Sequence, residues 1–174
     1  MEKSIKGIAV NYGLYLGVGL AIITAICYAM DVLLLTNMWL GIGLLILVLA
    51  TSIFSSISTK KAQNGIISFK EAFTAFFITL VIALLISSIV YIVIFNFVDP
   101  EAANILKEAV MEKQINMMKD FGADSNAIAA VAEEFEKQDN MYSIGNVLQS
   151  FIFQLIGYSI VGLISSAIIK KTEE

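Results

Sequence analysis

Two adjacent serines, Ser87 and Ser88, stand in the middle of a long apolar run. A hydroxyl there becomes a nucleophile only with a general base in reach. The chain supplies none, because it has no histidine and no lysine falls near the pair. The one cysteine, Cys27, rules out an intrachain disulfide and any cysteine-based metal cluster, and inside its own apolar run it reads as a small buried hydrophobe. Glu108 with Glu112, and Asp120 with Asp124, stand one helical turn apart and offer oxygen ligands for calcium or magnesium. Such pairs read more simply as a solvated acidic face. No catalytic residue, cofactor or metal is expected, and the chain reads as non-enzymatic.

The remaining polar residues within apolar surroundings point to contacts. Gln154 lies well inside the last apolar run, four residues before Tyr158, and an amide in hydrocarbon requires a partner. The expectation is an interhelical hydrogen bond, with a substrate contact as the alternative. Gly13 and Gly17 form a small-xxx-small pair, and Ser159, Gly162 and Ser166 line a small-residue face. Faces of this kind let helix backbones approach closely where lipid gives no hydrophobic drive between helices.

These residues sit on four apolar runs, at about 7–30, 39–58, 69–97 and 144–169. The chain of 174 residues is 58% hydrophobic and 15% charged, whereas soluble domains run near half apolar and about a quarter charged. Each run is long enough to cross a hydrocarbon core of about 30 Å at about 1.5 Å per residue. The first exceeds the roughly 7–15 apolar residues of a cleaved signal peptide, and Trp39 opens the second where an interfacial indole would sit. The apolar Val-Leu-Leu-Leu at 32–35 is expected to lie among lipid headgroups or to extend the first helix. No Asp, Glu or Lys falls mid-run, which disfavours ion-coupled carriers and proton relays.

Residues 99–142 form the one extended polar stretch. Asp99 then Pro100 reads as an N-cap and first helical position, and Gly122 ends that helix after Phe121. Asp124 or Ser125 caps a second helix, on which Glu133 and Lys137 are spaced to pair. Leu106, Val110, Met117 and Phe121, with Met111, Ile115 and Met118 beside them, make an apolar stripe suited to self-packing, membrane contact or a partner. The expected fold is an all-α membrane protein, a single domain over 1–174. It consists of a four-transmembrane-helix bundle with an external helical hairpin between helices 3 and 4.

All eleven basic residues are lysines, and Lys3, Lys6, Lys60, Lys61, Lys70, Lys170 and Lys171 fall at one set of ends. The hairpin holds Lys107, Lys113, Lys119 and Lys137 against ten acids, Asp139 among them. Lysine bias places both termini in the cytoplasm and 99–142 in the periplasm of a bacterial inner membrane. With a net charge of −4 and no arginine, nucleic acid is not an expected partner. The expected partners are the lipid bilayer and a membrane protein or a second copy of the chain.

Residues 65–73, Gly-Ile-Ile-Ser-Phe-Lys-Glu-Ala-Phe, resemble a segment of a bacterial family of small membrane proteins, domain-of-unknown-function family 4199. The likeness extends to the Val98-Asp99-Pro100-Glu101 junction, Phe121-Gly122-Ala123, Glu136-Lys137-Gln138 and the lysine-ended last helix. It implies an inner-membrane protein and carries over no catalytic or binding residue. The segment also has a physical account as a helix start. Gly65 permits the turn, Ser68 and Glu71 are spaced as a capping box, Phe69 and Phe73 face the water–lipid boundary, and Lys70 stays in water. Two functions follow: a structural or accessory subunit acting through protein or lipid contacts, or a small oligomeric transporter or channel for an uncharged or lipid-like solute. The second predicts that Gln154, Tyr158 and the glycines face a cavity.

Overall fold

The computed structural model describes residues 5–137 and 140–171. Lys3, Gln138 and Asp139, named above, lie outside the described residues. Six α-helices form among the described residues: α1 (Ile5–Met30), α2 (Met38–Ala62), α3 (Phe69–Val93), α4 (Pro100–Asp120), α5 (Ser125–Lys137) and α6 (Ile144–Ile169). The segments Ile5–Met30, Met38–Ala62, Phe69–Val98 and Ile144–Ile169 are long and apolar enough to cross a membrane. At most 33% of the most apolar stretch of any of them is buried inside the bundle. Exposed apolar area on that scale is foreign to a water-soluble monomer.

Helix α3 is central and packs on α1, α2 and α6. The packing follows the small residues. A Cβ on Gly13 would lie 2.8 Å from Ile82 Cβ, and one on Gly17 would lie 2.6 Å from Ile86 Cδ1, so α1 closes on α3 where its glycines remove side chains. Gly162 does the same for α6, where the ring of Phe76 occupies the space a Cβ would need. Ser166 is buried on that face, and Ser159 is half-buried beside it.

Residues 31–37 do not extend α1. Asp31 accepts a hydrogen bond from the Leu33 N–H at 2.9 Å, and Val32–Thr36 turns as a short 3-10 helix. The carboxylate of Asp31 competes for backbone donors that a continuing α-helix would use, so the chain breaks there despite its apolar side chains. Asn37 then caps α2. At the far end of α3 the last turn widens into a π-helix over Ile94–Val98, closed by the Asp99 N–H to Ile94 O bond of 2.8 Å. Asp99 caps α4 and also accepts from the Tyr28 hydroxyl at 3.1 Å, tying α1 to this junction.

Helix α4 ends at Asp120, and Phe121 just past it is 84% exposed. Leu106 is fully buried, whereas Met117 is 54% exposed. Gly122, at φ +74°, supplies the left-handed residue, and Asp124 accepts from the N–H groups of Asn126 and Ala127 to start α5. Helix α5 rests on α4, and Glu133 and Lys137 pair at 2.8 Å on its exposed side.

Candidate functional site: a cleft between α2 and α6

Two ends of the bundle differ. At one end the hydroxyls of α2 point inward at helical spacing: Ser52, Ser55, Ser56 and Thr59 are all buried. Ser56 donates to Ala72 O at 2.7 Å, and Ser55 reaches toward Ala75 O at 3.5 Å, both on α3. Thr79 Oγ1 stands 2.8 Å from Ser55 Oγ and 3.0 Å from Ala9 O, so α1, α2 and α3 meet at a hydroxyl whose one proton goes to one of these acceptors at a time. Tyr12 and Ser58 add a hydroxyl pair at 2.8 Å between α1 and α2. None of these serines and threonines was singled out from sequence, although the 52, 55, 56, 59 spacing marks one helix face.

The same end is clasped outside the helices. Lys60 Nζ donates to Ile169 O, an orphan carbonyl at the end of α6, at 2.7 Å. Ile67 and Lys171 exchange two backbone hydrogen bonds of 2.9 Å each. The turn that permits this places Asn64 at φ +57° and Gly65 at φ +87°, where glycine has no Cβ to clash. Ser68 and Glu71 form the reciprocal capping box, and Gln63 donates to the other Glu71 oxygen at 3.1 Å. Lys70 is exposed, while Phe69 and Phe73 stack with centroids 6.3 Å apart. The 65–73 segment is thus a helix start and half of a clasp on the last helix.

Away from the clasp, α2 and α6 are separated. Both helices run from the Thr36–Tyr142 end toward the Lys60–Ile169 end, and a cleft of about 340 Å³ lies between their first halves. Its apolar walls include Leu44, Val48 and Leu84, and its polar groups are Ser87, Ser88, Ser150, Gln154 and Tyr158. Among the described residues, no charged side chain lines it. Tyr91 and Tyr142, stacked at 5.5 Å, stand at the end nearer the loops. Asn96 holds that end by donating to Tyr142 O at 2.8 Å, and Asn140 and Asn146 continue the network. Burial pushes the ionisation of the Tyr142 hydroxyl well above the usual tyrosine range, so this wall stays neutral.

Gln154 corrects one expectation. Its amide makes no hydrogen bond among the described residues and faces the cleft. The polar side chains of Ser87, Ser88 and Ser150 also make none. Tyr158 is half-buried in the same lining, whereas Gly13, Gly17 and Gly162 are filled by neighbouring side chains and face no cavity. A second, shallower depression of about 510 Å³ lies where α4 passes Thr36, floored by Val110, Met117 and Met118. Lys113 crosses it to bond Thr36 O at 2.7 Å.

An all-α chain built on four packed helices, each long and apolar enough to cross a membrane, defines the class. Within that class, a family model described as "Protein of unknown function (DUF4199)" matches residues 11–171. The chain belongs to this family. It matches no curated protein and no solved structure.

Proposed function

We propose that this protein is a non-enzymatic integral protein of the bacterial cytoplasmic membrane, acting through lipid or protein contacts as a structural or accessory subunit. In this reading both termini are cytoplasmic, and residues 99–142 form a periplasmic helical hairpin. The observation that carries it is the cleft between α2 and α6, where the Gln154 amide and the hydroxyls of Ser87, Ser88 and Ser150 make no hydrogen bond among the described residues. Support for a non-enzymatic role comes from Ser87 and Ser88, which have no base beside them in a chain without histidine. Support for the orientation comes from Lys60, Lys61, Lys70, Lys170 and Lys171, gathered at the clasped end, opposite the acid-rich α4 and α5.

Photo-crosslinking residues placed at Ser150 and Met117 in native membranes test this reading. Adducts to lipid or to a distinct membrane protein are expected at one of them, and their absence at both removes it. A conduit for an uncharged solute is the second reading, favoured by Gln154 and Tyr158 facing the cleft and opposed by the filled glycine faces. Reconstituted vesicles that show no flux of glycerol or other small neutral solutes would eliminate it.

A further inference from the structure

The cleft's chemistry is specific about what it excludes. Gln154 stands roughly 15 Å along α6 from Ile144, at about 1.5 Å per residue. Ser87 and Ser88 face the same cavity from α3. Polar groups that deep in a hydrocarbon layer are costly unless something bonds them. A phosphate-bearing headgroup drawn to them would need a cation, and among the described residues no lysine lines the cleft. Water would satisfy hydroxyls, but Leu44, Leu45 and Phe151 then remain wetted beside them. One occupant meets both halves of the lining. Resting on the contact function above, we infer that the cleft binds a neutral amphiphile. Its uncharged hydrogen-bonding head, an alcohol, ester or quinone carbonyl, meets Gln154 and Ser87, and its hydrocarbon tail lies against the apolar wall. The volume of about 340 Å³ falls in the lower part of the range of about 300–1,000 Å³ typical of small-molecule sites, which suits part of a lipid rather than a whole one.

The test uses the full chain in phosphatidylcholine vesicles doped with a diazirine-bearing monoacylglycerol, irradiated and mapped by peptide mass spectrometry. Adducts are expected to concentrate on residues 41–48 and 147–158, and excess unlabelled monoacylglycerol should suppress them. A lysophosphatidate probe with the same tail should not reproduce the pattern. Gln154→Leu removes one neutral hydrogen bond and should lower labelling about two- to tenfold. Ser150→Phe fills the space and should abolish it. Helical circular dichroism of both variants separates lost binding from lost folding, and Gln154 has no hydrogen-bond partner among the described residues whose loss would unfold it. Labelling spread evenly over exposed positions outside the cleft such as Ile22 and Ile160, or unmoved by competitor and by both variants, overturns the inference. If the lipid probes fail while a crosslinker at Gln154 captures a defined membrane protein, the amphiphile is wrong and the contact function stands. If neither is captured, both fall.

Discussion

Glycine positions on α1 that look alike in sequence have different physical roles. Gly13 is buried with Ile82 Cβ and Thr79 O at 2.8 and 3.0 Å from where its Cβ would lie, while nothing stands within 4 Å of the same point at Gly19. A backbone carbonyl cannot swing aside as a flexible side chain can. Gly13→Ala should therefore cost about 1–3 kcal/mol by overpacking, whereas Gly19→Ala should be neutral or slightly stabilising, since alanine favours helix. Unfolding of both variants in mixed detergent–SDS micelles measures this, and equal behaviour would show that α1 and α3 do not approach so closely. The buried hydroxyls make a different point. Thr79, Ser55 and Ser56 cross-link helices with bonds that each contribute about 0.6 kcal/mol in membrane proteins, so their value lies in number and in fixing rotation about the helix axes.

The helices themselves are ended by local chemistry and held by contacts remote in sequence. Asp31, Asn37, Ser68, Asp99, Asp124 and Ser143 each start an element by accepting backbone N–H groups, and the Ser68–Glu71, Asp99–Pro100 and Gly122 signals are readable from a few neighbouring residues. The clasp was not readable, because Lys60 meets Ile169 across more than a hundred residues. Lys60→Met removes a charge-assisted bond to the last carbonyls of α6 but keeps the apolar stem. Amide exchange at Ile67 and Lys171 should then quicken at least severalfold, with α1 unaffected. Unchanged exchange at the bridge would show that Lys60 does not hold the two helices together. The break at Asp31 removes one of the two expectations for 32–35: one carboxylate ends α1 there, so the segment does not extend that helix.

For the molecule as a whole, orientation is the property that lysine placement predicts. In a Cys27→Ser background, a cysteine replacing Asp120 should react with an impermeant maleimide on intact cells, and one replacing Lys61 should react only after the membrane is opened. Both residues are exposed, so lack of reaction reports sidedness rather than burial. The reverse pattern would invert the topology and move the cleft to the cytoplasmic half.

The four long helices, the polar stretch between the third and fourth, the helix starts and the glycine faces were all determined by residues close together in the chain. Periodicity, capping and span length are local properties, written at distances of a few residues. The cleft was decided only by tertiary structure. Whether Gln154 bonds a neighbour or faces a gap depends on where α2 stands relative to α6, and that is set by hydroxyl bonds and a lysine clasp at the opposite end of both helices. A polar residue in an apolar helix announces that it needs a partner. The partner's identity, protein or otherwise, is a matter of which surfaces the fold brings within about 3 Å of it.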